Sequence, residues 1–516
     1  MASASDTRPD EHVRASHRRG LRARLGEVPK PLALILFVAA TLSLAWDVAS
    51  PSLEGPDEAK HFAYVQYLAE TGHLPRVLTE AEPEVAPGST EEQVTVNSLG
   101  LRPAITNRHV RPAWSSVDLN LLHEAERSMA HGSRTNGGSG NPLAKNPPLY
   151  YALMTIPYRA FVWLPLLKRV FLMRLLNVLF YLATIVFAWL LAGELFGAVR
   201  WKQALTAGVV ALEPQMAFLS VTINPDNLLI ALTTGFLLAS VRLIKRGPSP
   251  WRVLAASLFA AAASLTHGRG LVTLPVLAVV LVVTWIRHRP AARGTLVLAA
   301  AGVAPVGAAF LFYALFGKAT GSGSLYGGQV SELNSRAAGG RVFSVGQFAS
   351  TIWNFYFEPI VKTPKSIGPK WGWRQVFIEG FYSSFGSGNV SFPKSVVAVL
   401  RALTLLGLAA LVAAIVACWQ QVRRAWPYVL VALSLLVTSL VFLHYVNYRA
   451  VLSRGAGHLF IGRYLLPMIA LFGIAITFTA GSLPRRLGPM FGAAILGCAV
   501  LLCFTGLFVS VFRFYA

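Results

Sequence analysis

Charge is scarce in this chain. Only 13% of its 516 residues are Asp, Glu, Lys or Arg, about half the roughly 25% of a soluble domain. Acid is scarcer still, with 23 Asp plus Glu against 46 Lys plus Arg. Cysteine is nearly absent. Cys418, Cys498 and Cys503 all lie inside apolar runs, with no CxxC or Cys/His cluster, so neither a disulfide framework nor a thiolate metal site is supported. No small-residue cleavage site follows the first apolar run, which therefore reads as an uncleaved anchor. No internal repeat is visible. The net charge of +23 does not point to nucleic acid. The basic residues are scattered between apolar runs and never form one aromatic-interleaved patch.

What the chain has is apolar length. It is 54% hydrophobic, with a mean hydropathy of +0.53. Apolar runs fall near 31–50, 174–196, 203–221, 228–244, 252–266, 270–286, 294–316, 396–418, 426–445, 462–481 and 488–511. A run of about 20 apolar residues can cross a bilayer as a helix. The sequence thus predicts an all-α polytopic membrane protein with about eleven spans. A twelfth run, "NPPLYYALMTIPYRAFVWLP" (141–165), carries five prolines, which suit an interrupted helix better than a clean span.

The positive-inside rule sets the topology. With residues 1–30 as a basic, disordered cytoplasmic tail and 141–165 not crossing, the short inside loops hold twelve Lys and Arg, among them Arg200, Lys245, Arg252, Arg287 and Arg485. The two tight outside connections hold only Arg269. Two large extracytoplasmic segments follow, 51–173 and 317–394, within one transmembrane domain of 31–511. The first has 12 acids against 8 Lys plus Arg between 51 and 146. The second is rich in aromatics such as Trp353, Phe355, Trp371 and Trp373. Both are expected to lie on the membrane as juxtamembrane helices and loops. "HGSRTNGGSGNP" (131–142) reads as a flexible loop.

"PDEAKHFAYVQYLAETG" begins just after the first span. Pro56 suits a first helical turn and Gly72 a C-terminal stop, so 57–71 is expected to be a helix. Asp57, His61 and Tyr64 would share one face. Acids at a helix start complement its dipole. A carboxylate held ionised there can also take a proton from a hydroxyl.

An Asp-Glu pair in a first outer loop resembles GT-C glycosyltransferases. "PDEAKHFAYVQYLAETGHLP" is similar to the first-loop motif of protein O-mannosyltransferases and aminoarabinose transferases, and "NPPLYYALMTIPY" to their juxtamembrane element. "RLLNVLFYLATIVFAWLLAGELFG" resembles their second span. "LEPQMAFLSVTINPDNLLIAL", "SLTHGRGLVTLP" and "GRYLLPMIAL" resemble later elements of a bacterial membrane-protein family in the same superfamily, one of unassigned substrate. The second outer loop and the C-terminal region depart from the well-studied members, so acceptor identity does not carry over.

The resemblance implies a GT-C fold in the cytoplasmic membrane and inverting transfer from a polyprenyl-phosphate-linked sugar at its outer face. The acceptor would be a cell-envelope glycan, lipid or protein, and membrane lipid the surrounding partner. It implies Asp57 as base, with Glu58 orienting the acceptor or helping bind a cation. Basic residues at outer span ends are costly without purpose, so Arg463 and Arg269 are the expected phosphate ligands, with His267 beside them. Asp226, in "TINPDN", could cap its helix or face Asp57 across a cavity. Lys60, His61 and Tyr64 complete the expected substrate-binding face. His444 and His458 read as structural. No ligand spacing demands a metal, although Asp57, Glu58 and Asp226 together could hold a divalent cation. The rival readings are a transporter or flippase of lipid-linked sugars and a non-catalytic envelope-assembly protein. Transporters usually show internal repeats, and a scaffold would not need these charges to converge.

Overall fold

The computed structural model describes residues 28–75, 141, 143–290, 292–319, 344–357, 373–454 and 461–515, with isolated positions at 120, 123, 124 and 127. The basic tail through residue 27, most of the 131–142 loop, Trp371 and His458 lie outside the described residues. Long apolar stretches make the long helices. In chain order the helices are α1 (Lys30–Ala49), α2 (Glu58–Thr71), α3 (Leu149–Ala160), α4 (Leu166–Phe196), α5 (Arg200–Ala211), α6 (Pro214–Leu219), α7 (Asp226–Arg246) and α8 (Pro250–Thr266). They continue as α9 (Thr273–His288), α10 (Ala292–Ala319), α11 (Val345–Phe357), α12 (Lys394–Ala417), α13 (Trp426–Arg454), α14 (Ile469–Ser482) and α15 (Leu487–Tyr515). Two 3-10 segments, Gly268–Val272 and Gly462–Met468, lead into α9 and α14.

Among the described residues, nine helical segments are long and apolar enough to cross a membrane: α1, α4, α7, α9 and α14 with their 3-10 leads, α10, α12, α13 and α15. The chain is a multi-span, all-α membrane protein. Two of the eleven expected spans fall short of that measure. The 203–221 run is broken into α5 and α6, because Glu213 caps a new helix whose first residue is Pro214. The 252–266 run forms the 17-residue α8. Both still run from one end of the bundle to the other. At one end Glu194 of α4 pairs with Arg242, Lys245 and Arg246 of α7. At the other, Ile223, which follows α6, bonds Glu58, and Arg269, which follows α8, bonds Asp226 at the head of α7.

α7 is the hub, buried over most of its length against α4, α8 and the 462–468 segment. α3 is only 12 residues, about 18 Å of helix, too short for a hydrocarbon core about 30 Å thick. It packs instead along α2. Tyr158 donates to Glu70 at 2.6 Å and Arg159 donates to the Ala69 carbonyl. Within residues 344–357, α11 exposes Trp353 and Phe357 and buries Thr351, Asn354 and Phe355. His444 of α13 bonds the Tyr356 hydroxyl at 3.0 Å.

Candidate functional site

The two adjacent acids of the first loop meet opposite fates. The Glu58 amide bonds the Gly55 carbonyl at 3.1 Å, closing a turn over Gly55–Glu58. Pro56 takes the second position of that turn. Asp57 takes the third, in the left-handed region at φ 52°, ψ 20°. A non-glycine residue there is strained, Asp and Asn least so. The turn makes Asp57 the N-cap of α2 rather than a residue of its first turn, and its side chain caps nothing. The side chain is 48% exposed and lies 3.3 Å from the Lys60 ammonium. Burial of the surroundings pushes this carboxyl up, but the charges of Lys60 and Arg463 outweigh it and hold the group below the usual carboxylate range.

Glu58 is fully buried. One carboxylate oxygen accepts from Arg174 Nε and the Ile223 amide, both at 2.9 Å. The other accepts from Arg174 Nη2 at 2.7 Å and the Gly55 amide at 3.0 Å. Arg174 also donates to Asp47 and to the Ser50 and Pro51 carbonyls. All five guanidinium N–H groups are thus used. The Asp47–Arg174–Glu58 triad ties α1, α4 and the first loop together, and it turns Glu58 inward as an anchor.

Glu54, just upstream, is only 5% exposed. Its carboxylate accepts from Asn389 at 2.9 Å, and its carbonyl from Ser387. Burial pushes its carboxyl up to about 7; Asn389 opposes the rise and Glu58 adds to it. A raised carboxyl contributes stability below its ordinary value, and that stability is lost as pH rises through about 7. The loss is on the order of 2–3 kcal/mol by pH 8. Glu54→Gln should therefore raise the thermal midpoint at pH 8 and leave it unchanged at pH 5. A wild-type midpoint that is flat between those pH values would contradict this.

His61 and Tyr64 turn toward α3. Tyr64 is buried, stacks on Tyr151 with centroids 3.7 Å apart, and donates to the Asn146 carbonyl. Its role is packing. His61 Nδ1 lies 2.9 Å from the Tyr151 hydroxyl, which also accepts from Asn146 Nδ2 at 3.1 Å. The hydroxyl can donate its single proton to Nδ1, which puts the ring proton on Nε2, or use its second lone pair to accept from Nδ1–H. Burial, against the charges of Asp57 and Asp226, pushes His61 down to about 4. At neutral pH it is a donor and not a cation.

The second wall comes from the starts of α7, α9 and α14. Asp226 is 2% exposed. It does not cap α7; Asn224 accepts its amide at 2.9 Å instead and ties the loop to the Pro56 carbonyl. Asp226 Oδ1 accepts from Arg269, while Oδ2 is buried without a partner. His267 Nδ1 accepts the Arg269 amide at 3.1 Å, which fixes the 3-10 turn. The Arg269 guanidinium lies 4.1 Å over the Tyr464 ring, and that of Arg463 lies 5.4 Å from the same ring. Arg269 Nη1 and Arg463 Nε are buried and unpartnered.

Each arginine is placed by a neighbouring glycine. A β-carbon on Gly270 would lie 1.9 Å from the Ala263 carbonyl oxygen, and one on Gly462 2.0 Å from that of Val376. Only glycine allows either approach. Arg269 and Tyr464 also line a small cleft, whose remaining wall is largely apolar, with Val272, Leu435, Phe442 and Met468.

Asp57, Lys60, His61, Asp226, His267, Arg269 and Arg463 thus converge on one mouth. Glu58 and Tyr64 are turned away from it. The groups missed in the sequence are Asp47, Arg174, Asn146, Tyr151 and Tyr464. Asp47 and Arg174 carried a signal, since charges inside apolar runs need partners. The mouth does not suit a divalent cation. Glu58 is saturated, and Asp57 and Asp226 each already face a cation. Among the described residues no three His, Cys, Asp or Glu side chains are placed to hold a metal.

The family model described as "Predicted membrane protein (DUF2142)" matches residues 41–472. The chain belongs to that family. The DUF2142 match contains every residue of the mouth. No curated protein matches the chain. Among solved structures, this DUF2142 protein is similar to ArnT from Cupriavidus metallidurans bound to undecaprenyl phosphate, at 15% identity over 91% of this chain and 64% of that one, with a TM-score of 0.46. It is also similar to the oligosaccharyltransferase AglB from Archaeoglobus fulgidus in complex with an inhibitory peptide and a dolichol-phosphate, at 13% identity over 93% and 55%, with a TM-score of 0.44. The DUF2142 chain spans less than two thirds of the length of either. Likeness at that level carries no residue roles across.

Proposed function

We propose that the chain is a GT-C-type glycosyltransferase that moves a sugar from a polyprenyl-phosphate carrier to a hydroxyl of a cell-envelope acceptor, at the outer face of the cytoplasmic membrane. One observation carries the reading. Two arginines with unpartnered buried N–H groups, Arg269 and Arg463, stand at one mouth, and Arg269 and Tyr464 line a small, largely apolar cleft. That combination suits an anionic head on an apolar tail. Unsatisfied buried donors are costly unless a ligand takes them up.

In the proposed step the acceptor oxygen attacks the anomeric carbon from the side opposite the phosphate. The new C–O bond forms as the carbon–phosphate oxygen bond breaks, and the configuration inverts. The electron pair leaves on the phosphate oxygen, where Arg269 and Arg463 stabilise the developing charge. The hydroxyl proton passes to the Asp57 carboxylate. Asp57 is a weak base, suited to a proton that becomes acidic as the glycosidic bond forms. His61 can donate through Nε2 when Tyr151 donates to its Nδ1, and Glu58 holds the loop without touching substrate.

Mass analysis of envelope glycans in a deletion strain tests the function. A sugar should disappear and return with the wild-type gene; an unchanged glycan profile argues for the transporter or scaffold reading. Arg463→Ala should raise the donor KM by at least about tenfold, the effect of one lost charged hydrogen bond, and shift the acceptor KM little. Equal shifts would mean that Arg463 only packs.

A further inference from the structure

We propose that Asp226 accepts a hydroxyl of the carrier-bound sugar, and that the site thereby distinguishes a loaded polyprenyl phosphate from the spent carrier. This rests on the transferase reading above. The argument starts from atoms the fold leaves unused. Asp226 is 98% buried, yet its Oδ2 accepts nothing. Its own helix does not need it, because Asn224 serves the Asp226 amide. Asn227 Nδ2 is spent on the Leu219 and Thr222 carbonyls. Arg269 takes only Oδ1.

The mouth therefore offers two unpartnered cationic donors, Arg269 Nη1 and Arg463 Nε, and one unpartnered anionic acceptor. The complementary ligand carries a monoanion and a hydrogen-bond donor close together. A glycosyl phosphodiester is such a ligand: one negative charge, with hydroxyls beside the phosphate. The spent carrier is not. It is a phosphomonoester, and the dianion that predominates above its second pKa of about 6 has acceptors only and a second negative charge. Asp226 would repel it and hold part of the Arg269 charge away from it. The same carboxylate thus favours loading and speeds release of the product.

The test measures binding to the whole protein in nanodiscs. The probes are undecaprenyl phosphate, its methyl diester, and its glucosyl, mannosyl, galactosyl and arabinosyl diesters. The methyl diester keeps the charge of the loaded carrier and removes every hydroxyl. At least one glycosyl diester should bind wild type about tenfold or more tighter than the methyl diester, as expected for a hydrogen bond to a buried charge. In Asp226→Asn that ratio should shrink, and bare undecaprenyl phosphate should bind tighter than it does to wild type. A methyl diester that matches every glycosyl diester on wild type overturns the proposal. So does an Asp226→Asn protein that weakens all the lipids alike. The wild-type comparison stands even if the variant fails to fold. Binding of none of the lipids would instead overturn the carrier reading itself.

Discussion

Asp57→Asn should fold as wild type does and transfer almost no sugar. A general base contributes about 10²–10⁴ in rate, and Asn keeps the volume while removing the proton acceptor. Stability should move by less than about 0.5 kcal/mol, because Asp57 is half exposed and Asn is as tolerant as Asp of the left-handed backbone at φ 52°. Asn is thus a cleaner variant than Ala, which adds strain at that position. The measurements are the transfer rate with a saturating donor and the unfolding midpoint of the same preparation. A variant that keeps more than a tenth of the rate would remove Asp57 from the role of base. The pH profile gives a second check. The Asp57 carboxyl is held below its ordinary value, so its stabilising charge pairing is present above that value and lost as pH falls through the lowered one. The acid limb of the rate should fall below about pH 4, with no loss from Asp57 between pH 5 and 8.

Arg174→Met should be among the most damaging single changes in the chain. It strips both Asp47 and Glu58 of a shared cation in a buried setting. Breaking a buried pair by removing one partner costs about 3–5 kcal/mol, a large part of a typical total of about 5–15. Glu58→Gln should cost less. It retains one oxygen, but the amide nitrogen in place of the other cannot accept, so two of the four bonds that pin the loop are lost. Denaturant or thermal unfolding in detergent measures both. An Arg174→Met midpoint within about 1 °C of wild type would mean that the triad does not anchor the loop. Residual transfer by folded Glu58→Gln would fit an anchoring role; complete loss with an unchanged midpoint would point to direct chemistry.

The long helices were legible in the sequence because lipid-facing and buried residues are both apolar, so the runs nearly coincide with the elements. α2 was legible for a different reason. Gly72 ends it in the left-handed region at φ 70°, as its position suggested. The break between α5 and α6 was also written in the chain, as Glu213-Pro214 inside an apolar run. The difference between Asp57 and Glu58 was not. Side by side they look interchangeable, and only a partner 116 residues away, Arg174, sets them apart. The tautomer of His61 likewise depends on Tyr151, 90 residues on. Helix periodicity put Asp57, His61 and Tyr64 on one face, but a face does not say which of its members a distant segment will cover. Arg269 and Arg463 were singled out by their place at the ends of spans, once the resemblance implied a phosphate to be held. A charge at the end of a span is costly without purpose.

Gly462 links two parts of the mouth that lie far apart in the chain. Its α-carbon rests on the backbone of Val376–Phe381. Arg463 follows directly. Main chain pressed on main chain has no side-chain cushion, so a shift of one strip carries the other. Under the proposed transferase reading, an acceptor that settles on the 376–381 strip would therefore change the grip on the carrier phosphate. By thermodynamic reciprocity the carrier would change the affinity for the acceptor by the same factor. The order in which the two substrates arrive would then be a property of that glycine contact as much as of either binding pocket.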